Sequence, residues 1–152
     1  MVQIHSSRPL NMKISPLTST HISQITTLVD QLGYPAKLST IKKRFQTLNK
    51  LKNHKLLIAI DGDQLLGWIH LEIVHAILYD TRVEIRALVV DQSARRSGVG
   101  KKLVLMAKQW AKKKKIKTIY LRTNIKRKGA HKFYEHIGFS KTKTSYKYEI
   151  AV

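Results

Sequence analysis

The fold is decided by EIRALVVDQSARRSGVGKKLVL, residues 84–105. Its first residues are mostly apolar and predict a buried strand, the polar middle predicts a loop, and from Val99 the apolar residues recur at helical spacing. The first N–H groups of such a helix lack partners and its N-terminus carries about half a positive charge. Gly98 and Gly100 would leave room for a bound anion such as phosphate. The alternative is an ordinary strand–loop–helix crossover with glycines for turn geometry.

The size and composition of the chain fit one globular domain. It has 152 residues, 43% of them hydrophobic, and no cysteine, which excludes disulfides, a thiolate nucleophile and Cys-ligated zinc. We expect residues 1–11 to be a flexible N-terminal extension and residues 12–152 to form the domain. No apolar run approaches the roughly 18–20 residues of a membrane span, and no signal peptide is recognisable. The sequence therefore favours a cytoplasmic protein without membrane contact.

The charge is strongly positive, with 29 Lys and Arg against 9 Asp and Glu and a net charge of +20. Such a balance suggests nucleic acid or another anionic surface as a partner. The densest run, Lys112–Lys117, ends the predicted long helix, where cations favour the negative helix terminus. No aromatic residues interleave with it for stacking on bases. We interpret the run as a solvated helix end, so nucleic-acid binding is not the favoured function.

The remaining patterns predict an α/β order of elements. Strands are expected at residues 12–15, 56–60, 65–74, 83–90 and 118–123, with one or two more within 139–150, and helices at 18–32, 39–51, from 99 onward and at 129–136. The strand at 83–90 and that at 118–123 should be parallel, because a helix connects them. Ligands bind beyond the carboxyl ends of such strands, which places Val90, the loop at 95–100 and Asn124 at one mouth.

One face of the strand at 65–74 is polar. Trp68, His70 and Glu72 share this face by the period of two. It is either a solvent face or a wall that faces the substrate.

Two motifs resemble the GNAT family of N-acetyltransferases. The run Leu88-Val89-Val90, followed by Arg95-Arg96-Ser97-Gly98-Val99-Gly100, looks like the acetyl-CoA signature of that family. Asn124, Ala130, Phe133-Tyr134-Glu135 and Gly138-Phe139 resemble its C-terminal motif. With the order of elements, the resemblance covers about residues 12–149. It implies a mixed, mostly antiparallel sheet with a central, splayed parallel pair and flanking helices.

The resemblance also implies acetyl-CoA as the cosubstrate, without a metal. The backbone amides of Arg95 to Gly100 would hold the pyrophosphate, and Leu88 to Val90 would pair with the pantetheine arm. Asn124 would contact the arm from the other side. Arg127 stands where many members have a second Asn, and either binds a cofactor phosphate, closes over the acceptor site or is a surface cation. The implied cofactor-binding residues are Leu88, Val89, Val90, Arg95, Arg96, Ser97, Gly98, Val99, Gly100, Lys101, Asn124 and Arg127.

The implied reaction is transfer of an acetyl group to a primary amine by direct attack, without a covalent enzyme intermediate. Tyr134 would be the general acid, unless its ring only packs against the sheet. Glu84 would be the general base, with Glu72 as runner-up, unless Glu84 is only a strand-end carboxylate paired with Arg82 or Arg86.

The acceptor could be a small-molecule amine or a protein amine, and the enzyme a monomer or a homodimer. The net charge disfavours a polycationic acceptor unless Glu72, Asp80 and Glu84 make the cleft acidic. A basic, non-catalytic binding module on the same fold is the alternative function.

Overall fold

The computed structural model describes residues 11–152, so the predicted N-terminal extension lies outside the described residues except for Asn11. The contacts of the chain divide it into two compact units, one reaching to Arg122 and one from Thr123 to Val152. The strands are β1 (Lys13–Pro16), β2 (His54–Asp61), β3 (Gln64–Val74), β4 (Arg82–Val90) and β5 (Ile119–Leu121). The helices are α1 (Ile22–Gln31), α2 (Leu38–Leu48), α3 (Val99–Lys113) and, in the second unit, α4 (Lys128–His136). No helix among the described residues is long and apolar enough to cross a bilayer.

The first unit is built on one five-stranded sheet in the order β1-β2-β3-β4-β5. The first three pairings are antiparallel and β4 pairs with β5 in parallel, which confirms the predicted fold class. The parallel pairing runs only from Val83–Ile119 to Ile85–Leu121, whereas β4 continues to Val90. The two strands therefore separate halfway along β4, as the resemblance implied.

Helices cover both faces of the sheet. On one face Ile25 and Leu28 of α1 and Phe45 of α2 pack in one core with Ile58 and Val89. Burial of each such side chain is worth about 1.5–3 kcal/mol, which fixes the two helices on the sheet.

The helix α3 covers the opposite face through an apolar stripe. A Cβ on Gly67 would lie 3.2 Å from Cγ1 of Val99, the first residue of α3, and 2.7 Å from the carbonyl oxygen of Val89. Only glycine lets the start of this helix approach β3 so closely. The loop before α3 is thereby held against the end of β4.

The predicted strands within residues 139–150 are wrong. The structure has no strand after Phe139 among the described residues, and Tyr146, Tyr148 and Ile150 are each 89% exposed. Alternating apolar and polar residues supply the side-chain pattern of a strand, but a strand also needs a neighbour for its backbone groups. The Phe139 N–H donates to the Tyr134 carbonyl of α4 at 2.9 Å, but within the described chain no backbone hydrogen bond joins residues 140–150 to another segment.

Candidate active site

The point where β4 leaves β5 carries a β-bulge. Leu71 of β3 lies opposite Ile85, but the next residue, His70, lies opposite Ala87, so Arg86 is an extra residue in β4. A bulge bends the strand, increases its twist and re-aims side chains. From Arg86 to Val90 the strand has a partner on the β3 side only, among the described residues. This stretch therefore presents free backbone groups to any ligand that enters between the strands.

The loop after β4 forms a concave row of N–H groups. Arg96 and Gly98 have left-handed backbones, with φ of 66° and 85°. The Arg95 N–H donates to the Gln92 carbonyl at 3.5 Å, so the free amides begin at Arg96 and not at Arg95 as predicted. Within the described part of the chain, no N–H of residues 96–101 donates a hydrogen bond, and Lys102 makes the first helical bond, to the Gly98 carbonyl at 3.0 Å. Such a row at a helix N-terminus binds anions, phosphate above all. These residues could therefore hold a phosphate group of a cofactor.

The predicted cofactor-binding residues of the first unit are thus neighbours in the structure. Arg95, Arg96 and Lys101 are exposed, whereas Val99 is buried and can contribute only its backbone. The side chain of Val89 is likewise buried in the core, so at this position β4 can contact a ligand only through its backbone.

Glu84 is a buried carboxylate on β4, with 5% of its surface exposed. The Tyr120 hydroxyl donates to Oε2 at 2.8 Å, and Nη1 of Arg86 donates to Oε1 at 3.2 Å. Nη2 of Arg122 lies 3.6 Å from Oε2. Burial, followed by the bond to Glu84, raises the pKa of Tyr120, which keeps this phenol a donor at neutral pH.

Glu72 lies directly opposite Glu84 in the sheet register, and Arg86 joins the two carboxylates. Nε of Arg86 is 3.5 Å from Oε2 of Glu72, and Nε2 of His54 is 3.8 Å from Oε1. At His70 and Glu72, the face that we expected to be a solvent face or a substrate wall is therefore a connected polar cluster, whereas Trp68 on the same face packs against the apolar core. The members of the polar cluster are His54, His70, Glu72, Glu84, Arg86, Tyr120 and Arg122.

The histidine pair in this cluster was missing from the sequence prediction. Nδ1 of His54 lies 2.8 Å from Nε2 of His70. Burial, and then the nearby charges of His54 and Arg86, lower the pKa of His70 to about 4, so its ring is neutral at pH 7. The period of two placed His70 on this face, but only the pairing of β2 with β3 brings His54 to it.

Arg82 has a different environment from Arg86. Its guanidinium lies over the rings of Tyr79 and Tyr120, with its carbon 4.5 Å and 4.0 Å from their centroids. Among the described residues it has no carboxylate partner. Of the two arginines suggested for Glu84, the structure pairs Arg86 with it and stacks Arg82 on aromatic rings.

In the second unit, Tyr134 is partly buried on α4. Its ring meets those of Phe133 and Phe139 edge-on, with centroids 5.2 Å and 5.6 Å apart. Burial raises the pKa of the phenol, and the charge of Arg127 opposes this only in part. The hydroxyl is therefore protonated at neutral pH and can donate a proton.

Asn124 organises the turn before α4. Its Oδ1 accepts from the Lys126 N–H at 2.9 Å, and its carbonyl accepts from the Arg127 N–H at 3.0 Å and from Nε2 of His131 at 2.8 Å. The side-chain oxygen is thus engaged locally, which leaves its NH₂ group for a ligand. Within residues 11–152, no three or more His, Asp or Glu side chains come together as metal ligands would.

Solved structures share this fold. A transcriptional regulator from Bacillus halodurans C-125 superposes with a TM-score of 0.83 at 24% identity, covering 91% of this chain and 99% of its own. The aminoglycoside 6'-N-acetyltransferase AAC(6')-Ih from Acinetobacter baumannii gives 0.80 at 19% identity, covering 93% and 99%. The aminoglycoside N-acetyltransferase AAC(6')-Iy, solved in complex with CoA, gives 0.84 at 19%, covering 96% and 99%. At these identities the likeness shows the fold.

The family follows from the sequence itself. Comparison with curated proteins finds no match. Residues 24–139 match the profile described as the acetyltransferase (GNAT) family. The match confirms the resemblance and the predicted enzyme class, and it does not favour a non-catalytic binding module. Because the matched region is more than half of the sequence, the chain belongs to the acetyltransferase (GNAT) family.

Proposed function

We propose that this enzyme transfers an acetyl group from acetyl-CoA to a primary amine by direct attack. The observation that carries the proposal is the row of free N–H groups at residues 96–101, next to the one-sided edge of β4. Family membership and the CoA complex of AAC(6')-Iy support it. The sequence has no cysteine, which agrees with a reaction without a thioester intermediate on the enzyme.

The first unit supplies two parts of the proposed cofactor site. The amides of residues 96–101 bind the pyrophosphate, and the exposed side chains of Arg95, Arg96 and Lys101 add positive charge around it. The edge from Arg86 to Val90 pairs with the pantetheine arm through backbone hydrogen bonds. Bound in this way, acetyl-CoA supplies the thioester that the amine attacks. In the second unit, Asn124 and Arg127 are the further residues proposed to contact the cofactor.

Glu84 is the proposed general base. An ammonium group must lose a proton before it can attack, and a carboxylate offers about four acceptor positions. Tyr120 and Arg86 occupy two of them by hydrogen bonds, with Arg122 close to Oε2. Because only 5% of Glu84 is exposed, it takes the proton through a water molecule rather than by direct contact. Glu72, whose side chain is 25% exposed, stays the runner-up.

Tyr134 is the proposed general acid. Its pKa, raised by burial, keeps the phenol protonated at neutral pH, so it can protonate the departing thiolate. A phenol that packs between Phe133 and Phe139 also has a fixed orientation, which proton donation requires.

The proposal is tested with the purified chain and a panel of primary amines. Acetyl-CoA is expected to raise the melting temperature, and amine-dependent release of CoA is followed with a thiol reagent. The reagent reports CoA alone because the protein has no cysteine. The absence of both a melting-temperature shift at millimolar acetyl-CoA and amine-dependent thiol release would contradict the proposal.

A further inference from the structure

The guanidinium of Arg82 is fixed in place but lacks an anionic partner. Its carbon lies 4.5 Å from the ring centroid of Tyr79 and 4.0 Å from that of Tyr120. Stacking on aromatic rings holds the planar group and leaves the N–H donors at its edges free. Within the described residues Arg82 makes no ion pair and its side chain donates no hydrogen bond. An arginine held in this way is preorganised for bidentate binding of a carboxylate or phosphate.

Arg82 also lies beside the proposed base. It precedes Glu84 by two residues on β4, so the two side chains leave the same face from Cα atoms about 6–7 Å apart. Tyr120 connects them, since its ring contacts Arg82 and its hydroxyl bonds Glu84. One small molecule can therefore place an amine near Glu84 and an anionic group on Arg82.

The surrounding surface has room for such a molecule. Residues 76–82 and Thr118 line an open depression of about 680 Å³, within the size range of small-ligand sites. Ile77 and Leu78 are fully or largely exposed at this loop and offer apolar contacts.

The carboxylates nearby do not make this surface a site for a polycation. Glu84 is paired with Arg86 and Arg122, and Glu72 with Arg86. Asp80 also lines the depression and is exposed. Two cationic groups outweigh this one carboxylate, because Arg82 has no anionic partner among the described residues and the side chain of Arg122 is 73% exposed.

We infer that the acceptor in the proposed reaction is a small amine that carries a carboxylate or phosphate group, and that Arg82 binds this anionic group. The inference rests on the proposed function and adds its substrate class. It sets this chain apart from the aminoglycoside acetyltransferases of the same fold.

The test uses pairs of amines that differ in the anionic group alone. Phenylalanine is compared with 2-phenylethylamine for the carboxylate, phosphoethanolamine with ethanolamine for the phosphate, and kanamycin serves as the polycation. We expect kcat/KM to be at least about tenfold higher for the anionic member of one pair, the gain from one charge-assisted contact. Which pair shows the gain identifies the anion.

The variant Arg82→Gln should reduce this preference to about one, mainly through KM, while Arg44→Gln, the same change on the exposed face of α2, should leave it intact. If Arg82→Gln does not fold, Arg82→Lys keeps the charge and loses the planar fork, and should lower the preference severalfold.

The outcomes separate the two proposals. Transfer that favours neutral amines or kanamycin, or an unchanged preference in the folded Arg82 variant, overturns the inference and leaves the proposed function standing. No transfer to any amine overturns the proposed function and the inference with it.

Discussion

Replacement of Glu84 by Gln removes the proposed general base with little change in the shape of the side chain. The amide keeps one oxygen acceptor, so it can retain either the bond from Tyr120 at 2.8 Å or that from Arg86 at 3.2 Å, but it cannot accept a proton at neutral pH. We expect kcat for amine transfer to fall by roughly 10²–10⁴, the usual contribution of a general base.

The Gln substitution at Glu84 should lower the free energy of unfolding only modestly. Loss of one charge-assisted hydrogen bond to a buried carboxylate costs about 1.5–3 kcal/mol. For a chain of this length each kcal/mol lowers the melting temperature by roughly 2–4 °C. The variant should therefore remain folded at assay temperature, and its loss of activity cannot be explained by unfolding.

The assay is CoA release against pH, with Glu72→Gln as the matched control. Glu72 lies opposite Glu84 and shares Arg86, so the control removes a carboxylate from the same cluster. We expect the Glu72 variant to keep most of its kcat and the Glu84 variant to lose it. If the Glu84 variant kept more than a tenth of wild-type kcat, the assignment would be refuted, and a collapse in the Glu72 variant instead would transfer the role to Glu72.

Three further perturbations follow from particular contacts. Tyr134→Phe should lower kcat by roughly 10²-fold or more, and an unchanged kcat would exclude the acid role. In the wild type, the loss of kcat at alkaline pH should begin above pH 10, because the pKa of this phenol is raised from 10.0. His70 has a pKa near 4 in the folded protein and 6.5 in the unfolded chain, so the unfolded state binds more protons at low pH. The free energy of unfolding should therefore fall by up to about 3 kcal/mol as the pH drops from 6.5 to 4. Denaturant unfolding of His70→Gln should show a smaller fall over the same pH range, and an equal fall would contradict the pKa shift. Gly67→Ala should cost about 1–3 kcal/mol because its Cβ would meet the Val89 carbonyl at 2.7 Å, whereas Gly129→Ala, in open space on α4, should be neutral or stabilising; equal melting temperatures would argue against the close approach.

Local signals made the part of the fold where we propose that the cofactor binds predictable. The stretch at 84–105 contains its own strand, loop and helix signals, and the helix that connects the two strands predicts that they pair in parallel. The residues at which β4 and α3 begin were therefore predicted to within a few positions. The loop could be interpreted as an anion site because its chemistry depends on backbone groups that lie next to one another in sequence.

The cluster around Glu84 could not be predicted in the same way. His54 reaches His70 only through the register of β2 with β3, and Arg86 reaches Glu72 only through the bulge in β4. Arg82 illustrates the same limit, since the two tyrosines that stack on it come from a loop and from another strand. Register between strands depends on packing of whole faces, and a single strand's sequence does not reveal it.

The central claim, that the loop before α3 holds the pyrophosphate of acetyl-CoA, is tested most directly by calorimetric titration of two matched variants. Gly98 and Gly62 both have left-handed backbones, with φ of 85° and 60°, and a Cβ at either would meet nothing within 4 Å. Aspartate tolerates this backbone better than most residues, so Gly98→Asp and Gly62→Asp should carry similar strain. We predict that acetyl-CoA binds the Gly62 variant as it binds the wild type and binds the Gly98 variant at least about tenfold more weakly, because the carboxylate repels the pyrophosphate. Equal affinity in the two variants would contradict the claim.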